Sequence, residues 1–238
     1  MAELKRRTAV LISGRGSNLG ALIAAARDPA YPAELALVLS NRADAAGLDR
    51  AREAGIPTAT VESRPFGRDR AAFEAALGGK LAEARIEMIA LAGFMRVLTE
   101  GFVTHWSGRM LNIHPSLLPA FPGLDTHARA LAAGVRLHGC TVHFVTPGVD
   151  EGPIIAQSAV PVLPDDDEAA LAARVLAQEH RLYPAALAWA AAGLARLEGG
   201  RVVLSMAMAD GALANPPPEH RQGRNPLPGP AALPTGMA

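Results

Sequence analysis

Thr8-Ala-Val-Leu-Ile-Ser13 followed by Gly14-Arg-Gly-Ser-Asn-Leu19 is the stretch that decides the fold. A continuous apolar run of this length reads as a strand buried on both faces of a parallel sheet. Glycines then turn the chain, and Leu19 to Arg27 has the pattern of a helix. Strand, Gly-rich turn and helix make the opening of a β-α-β unit.

The same rhythm continues outward. Glu34 to Leu39 is a second strand ending in Ser40-Asn41, and Asp44 is placed to cap a helix through Ala54 that stops at Gly55 ahead of Pro57. Thr58 to Val61 is a short third strand, Arg68 to Arg85 an amphipathic helix, Met88 to Ala92 a fourth strand and Met110 to Ile113 a fifth. Short connections in this order predict an α/β, Rossmann-like, doubly wound sheet, mostly parallel. After a helix over Asp125 to Ala133 the character changes. Cys140 to Val145 and Ile154 to Val162 read as an added strand pair, which makes the C-terminal strands antiparallel. Asp165-Asp-Asp-Glu168 opens a long Ala-rich helix whose dipole favours acids at that end, and Pro184 is expected to kink or split it. Arg196 to Ser205 resembles a hairpin turning at Glu198-Gly-Gly. Residues 1–206 are thus expected to form one domain and 207–238, rich in Pro and Gly, a disordered tail.

Composition removes several function classes. Lys plus Arg equals Asp plus Glu, at 23 each, so no bulk basic field exists for nucleic acid. Aromatic residues are 4 %, too few for a base-stacking platform. The single Cys140 excludes a disulfide framework and fits a reducing compartment. The basic tip Lys5-Arg-Arg7 before an apolar run superficially resembles a signal peptide, but Ser13, Arg15 and Asn18 interrupt that run at once. A cytoplasmic protein without a membrane span is expected.

Four segments carry chemistry. Ser13 to Leu19 lies where backbone N–H groups and a helix start would welcome a phosphate, although a plain tight turn fits the spacing too. Leu19 in place of a third glycine, and Ser40-Asn41 in place of a ribose-binding acid, argue against a nicotinamide cofactor. Asn112-Ile-His-Pro-Ser-Leu-Leu-Pro119 puts Asn112 and His114 on one side of a strand end, where open α/β sheets bind ligands. His138, His143 and Asp150 form a third group. None of the histidines, His105 and His127 included, has the spacing of a zinc motif, so no metal site is expected. His143 suits a wall residue as well as a reactive one, and Asp150-Glu-Gly-Pro153 has the composition of an ordinary turn. Leu91-Ala-Gly-Phe-Met-Arg-Val-Leu98 is either core or the apolar wall of a pocket for a flat heterocycle, and spacing alone favours core. Cys140 lies inside a strand with nothing nearby to activate it.

Taken together, Ile12 to Leu19, Leu91 to Arg96, Leu111 to Pro119 with Pro122-Gly123, and Gly139 to Val145 through Asp150 to Ile154 resemble the folate-dependent glycinamide ribonucleotide formyltransferases. The resemblance covers roughly residues 8 to 205. It implies the formyltransferase fold and transfer of a formyl group from 10-formyltetrahydrofolate, the co-substrate, to the amine of the ribonucleotide. It also implies residue roles. Gly16, Ser17, Asn18, Leu19 and Gly20 would hold the substrate phosphate and Glu179 its sugar or amide end. Arg70 would face the folate tail. Met95, Arg96, Val97 and Leu98, with Thr146, Pro147, Gly148, Val149, Asp150 and Asn112, would form the folate pocket. Asn112, His114 and Asp150 would be the catalytic set. Two features depart from the family pattern: Glu151 follows Asp150 where glycine is common, and the stretch after Ala207 has no clear counterpart. Expected partners are the two small molecules, with no nucleic acid or membrane, the chain acting as a monomer or homodimer.

The chemistry suits those residues. Attack of an amine on the formyl carbon develops an oxyanion that Asn112 and a protonated His114 can stabilise, while Asp150 sits opposite the charged imidazole and relays a proton. Hydrolysis of formylfolate by the same residues is the nearest rival, although the N-terminal domain of the hydrolases is not expected ahead of the first strand. A long C-terminal domain like that of the tRNA formyltransferases is likewise not expected. A phosphate-ligand sensor is the rival of another class.

Overall fold

The computed structural model describes residues 5–206, so the expected tail at 207–238 lies outside the described residues. Seven strands form the main sheet: β1 (Arg6–Ile12), β2 (Ala33–Ser40), β3 (Thr58–Thr60), β4 (Met88–Leu91), β5 (Met110–His114), β6 (Leu137–Phe144) and β7 (Ile154–Pro161). Their order is β3-β2-β1-β4-β5-β6-β7. The first five run parallel, while β6 and β7 add antiparallel at one edge. A hairpin of β8 (Ala195–Glu198) and β9 (Arg201–Leu204) forms a separate small sheet. The expected doubly wound, mostly parallel architecture with antiparallel C-terminal strands is the one observed.

Strand alternation explains the layers. On β1, Val10 and Ile12 point into one core with Leu19 and Leu22 of α1 (Ser17–Ala26) and Leu187 of α6 (Glu168–Ala191). Ala9 and Leu11 point the other way, against Phe73, Leu77 and Leu81 of α3 (Arg70–Glu83) and Val103 of α4 (Glu100–His105). All four β1 residues are fully buried, which is why the strand reads as an unbroken apolar run. A third, smaller core joins Cys140 and Val160 of the antiparallel edge to Ala130 of α5 (Thr126–Ala132) and Leu171 of α6.

Two local expectations are corrected. Asp44 does not cap a helix: Arg42 takes its carboxylate through two bonds of 2.9 and 2.7 Å, and α2 starts only at Gly47, ending at Glu53. Pro184 does not split the long helix, which runs unbroken for 24 residues. Packing outweighs the lost backbone bond there. Tyr183 is completely buried, with its hydroxyl donating to Leu91 O at 2.8 Å, and Tyr31 donates to the carbonyl of Pro184 at 2.7 Å. Sequence reading also missed α4. Its N-cap is Thr99, whose backbone and side chain both bond the buried Glu74 of α3. That anchor fixes the segment leading out of β4.

Candidate active site

Order reverses beside β1, whose neighbours are β2 and β4, and the crevice at that point is where open sheets bind ligands. A cavity of about 680 Å³ lies there, lined by Ser13 to Asn18, Asn41 to Asp44, Glu62 to Arg64, and Ala92, Gly93, Met95 and Arg96. At its base, Gly16 caps α1 in the left-handed region, with φ +68°, and a Cβ on it would meet Gly47 Cα at 3.1 Å. Only glycine passes here. No side chain caps α1 and its first turn holds no acid, so the N–H groups of Ser17 to Leu19 are open to an anion.

Asn18 is buried behind this turn, and its amide donates to Glu179 Oε2 of α6 at 2.6 Å. Burial raises the Glu179 pKa, with the Asn18 bond opposing. Asn18 Oδ1 has no partner among the described residues. Gly20 is placed differently: its amide goes to Gly16 O, and its α-carbon faces the Arg50 guanidinium, outside the cavity lining. Leu19 is fully buried, leaving only its backbone for a ligand.

β4 and β5 carry the other residues. Register aligns Leu11 with Leu91 and Leu91 with Asn112. Asn112 therefore lies two strand spacings from β1, roughly 10 Å. Across the antiparallel β5–β6 ladder, Asn112 pairs with His143, and Asn112 Nδ2 lies 3.2 Å from His143 Nε2. The other ring nitrogen, Nδ1, is 3.0 Å from Phe144 O, which can only accept. Those partners assign the His143 tautomer: Nδ1–H donates to the carbonyl and Nε2 accepts from the Asn112 amide. Burial lowers the His143 pKa and so keeps the ring neutral.

His114 closes the strand, 6 % exposed, with Nδ1 3.3 Å from Asp150 Oδ2 and Nε2 3.0 Å from Phe121 O. Both ring nitrogens thus face acceptors. Asp150 adopts φ +57°, a region aspartate tolerates, and its Oδ2 accepts from the Gly123 amide at 2.8 Å. Its Oδ1 is 3.9 Å from His143 Nε2. Asn112, His114, His143 and Asp150 therefore form one connected group.

The remaining predicted residues divide. Met95 and Val97 are exposed, whereas Leu98 and Phe94 are core, so the Leu91–Leu98 segment is wall and core by turns. Val149 is exposed in the loop from Thr146 to Asp150, and the Glu151 side chain folds over Gly148. Arg70 is exposed at the first residue of α3 and does not line the cavity. Cys140 is buried and its thiol is pushed up to about 12 by burial, which leaves it without nucleophilic character. His127 and His138 stack edge-on at 5.2 Å, and burial lowers both pKa values, that of His138 to about 4. Among the described residues no group of three His, Cys, Asp or Glu side chains could hold a metal. Sequence reading missed the Phe121 carbonyl and the Gly123 amide, because backbone groups leave no mark in a side-chain motif. It also missed the Asn112–His143 bond, whose signal was present: pairing the two strands antiparallel puts these residues opposite.

A formyl transferase family model matches residues 6–187. Trifunctional purine biosynthetic protein adenosine-3 of Bos taurus is 50% identical over 199 residues, 83% of this chain. The chain spans only 20% of that relative's length. Phosphoribosylglycinamide formyltransferase of Escherichia coli (strain K12) is 48% identical over 184 residues, 77% of this chain and 86% of the relative. The crystal structure of glycinamide ribonucleotide transformylase 1 from Symbiobacterium toebii superposes with a TM-score of 0.80 at 48% identity, covering 84% of this chain and 94% of that one. With an anion-ready turn, a partly buried Asn/His/Asp group, a family model over most of the chain, and two relatives matched over 86% and 94% of their own length, the chain belongs to the formyl transferase family, in the group of the phosphoribosylglycinamide formyltransferases.

Proposed function

We propose that this protein transfers the formyl group of 10-formyltetrahydrofolate to the amine of 5-phosphoribosylglycinamide, releasing formylated product and tetrahydrofolate, as a step of de novo purine synthesis. The observation that carries the reading is the pairing of two sites at one sheet edge. An open helix N-terminus follows β1 and suits the phosphate, and β5, which carries Asn112 and His114, lies two strand spacings, roughly 10 Å, from β1 and suits the amine end.

In this reading the neutral amine attacks the formyl carbon and the carbonyl oxygen takes up negative charge. Asn112 has one amide N–H on His143, leaving the second to donate to that oxygen. His114 supplies the other donor from Nε2, where substrate oxygen replaces the Phe121 carbonyl. Losing one such donor typically costs about 10²–10³ in rate. Asp150 holds Nδ1 and relays the amine proton, directly or through water, to the departing folate nitrogen. Gly16 to Leu19 and Glu179 bind the ribonucleotide, and Met95 to Leu98 with Thr146 to Asp150 bind the folate. Arg70 meets the folate tail. The protein acts in the cytoplasm as a monomer or homodimer, on small molecules alone.

Incubating purified protein with both substrates and following tetrahydrofolate release tests the reaction. Formate production that is independent of the ribonucleotide would establish hydrolysis instead.

A further inference from the structure

The carboxyl ends of four neighbouring strands are joined by side chains that the assignments above leave unused. The Met95 amide donates to Ser13 Oγ at 2.8 Å, Ser13 Oγ–H donates to Asn41 Oδ1 at 2.6 Å, and Asn41 Nδ2 donates to Ser63 Oγ at 3.3 Å. Ser63 follows β3, Asn41 follows β2, Ser13 follows β1 and Met95 follows β4, so the links run in sheet order, β3-β2-β1-β4. Ser13, Asn41 and Ser63 are all buried, and all four residues line the cavity. Backbone bonds run beside the chain, from Ser13 N to Gly93 O at 3.1 Å and from Ser63 N to Asn41 O at 3.2 Å.

Loops leaving adjacent parallel strands have no ladder to hold them together. Here the Ser13 hydroxyl joins three of them, beside the backbone bonds. Ser13 spends its one proton on Asn41 and accepts Met95 N–H on a lone pair, so no apolar residue could replace it without orphaning an amide and an acceptor. One residue on, Gly14 begins the anion turn. Met95, itself exposed, begins the segment assigned to folate.

We propose that Ser13, backed by Asn41 and Ser63, is a positioning relay that sets the Met95–Leu98 wall against the anion turn and so fixes formylfolate relative to the attacking amine. The inference rests on the function proposed above. Ser13 acts through Met95, remote from the reacting atoms.

The test compares Ser13→Ala, Ser13→Thr and Ser63→Ala with the parent by kcat, KM for each substrate, direct binding of each ligand alone, and thermal melting. Ser13→Ala should raise formylfolate KM and Kd about tenfold, the scale of losing one or two buried hydrogen bonds, and leave ribonucleotide Kd within about twofold. Ser13→Thr, which keeps the hydroxyl, should stay within about threefold of the parent, and Ser63→Ala should shift formylfolate binding about threefold in the same direction. Equal weakening of both ligands, formylfolate binding unchanged in Ser13→Ala, or a threonine variant as impaired as the alanine one would overturn the relay. If Ser13→Ala does not fold, Ser63→Ala decides, and unchanged formylfolate binding in it rejects the proposal. A parent that binds formylfolate but transfers no formyl group rejects the reaction while leaving the binding comparison valid.

Discussion

Asn112 and His143 are register partners across the β5–β6 ladder, and the Asn112 amide donates to His143 Nε2 over 3.2 Å. A neutral histidine locked by its own Nδ1–H to Phe144 O thereby dictates which way the asparagine amide points. His143→Phe keeps a ring but removes the acceptor, so the amide is free to turn. Turnover should fall about 10- to 100-fold, the scale of a misplaced catalytic group, with both KM values nearly unchanged. Steady-state kinetics check this, and full turnover would mean that Asn112 orients itself.

Gly152 is held against the same histidine. A Cβ there would lie 1.7 Å from Phe144 O and 2.8 Å from His143 Nδ1, and Phe144 N is bonded to Pro153 O, so the backbone cannot simply retreat. Gly152→Ala should therefore cost about 1–3 kcal/mol of stability through overpacking. Because Asp150 is two residues away, turnover should drop by more than stability alone explains, about 10²-fold for a shift near 1 Å. Denaturant unfolding and kinetics on the folded fraction separate the two effects.

Glu179 gives a pH-dependent expectation. Burial raises its folded pKa above the unfolded one, so the folded state binds the proton more tightly. Its contribution to stability is full below the ordinary glutamate range and is lost as pH rises through the folded pKa. Glu179→Gln cannot ionise and can still accept the Asn18 amide. The variant should melt higher than the parent at neutral pH, with the difference vanishing in acid, while ribonucleotide binding weakens. Melting curves across pH check the sign. A parent more stable than the variant at neutral pH would contradict it.

How much of this was legible in the sequence follows from what kind of contact each feature is. β1 was readable because both its faces are buried, and α1 because Gly16 and the residues after it form one local unit. α4 was not, because its start is defined by Glu74, twenty-five positions earlier, bonding Thr99. Pro184 misled for the same reason: Tyr31 bonds its carbonyl from outside the helix, and Tyr183 within the helix reaches out to the distant Leu91 carbonyl. In the site, Asn112 and His114 could be paired from their spacing. The partners that aim them could not, since the Phe121 carbonyl, the Gly123 amide and the Ser13–Asn41–Ser63 chain depend on loops whose meeting no local pattern encodes.

Asp150 is where the proposed mechanism is most exposed. Its Oδ2 is shared between the Gly123 amide at 2.8 Å and His114 Nδ1 at 3.3 Å, so the carboxylate both ties down the Phe121–Gly123 turn and orients the histidine. Asp150→Asn keeps the size and can still accept from Gly123, but it removes the charge opposite His114 and the base that moves the proton. Turnover should fall by at least about 10², in line with the loss of general acid–base catalysis, while both substrates bind within a few-fold. His114→Ala should lose a similar amount. The double variant should lose far less than the product of the two, because residues acting as one unit are not additive. Kinetics and binding on the four proteins decide the matter. Near-full turnover in Asp150→Asn, or losses that multiply, would reduce Asp150 to a loop residue and require another path for the proton.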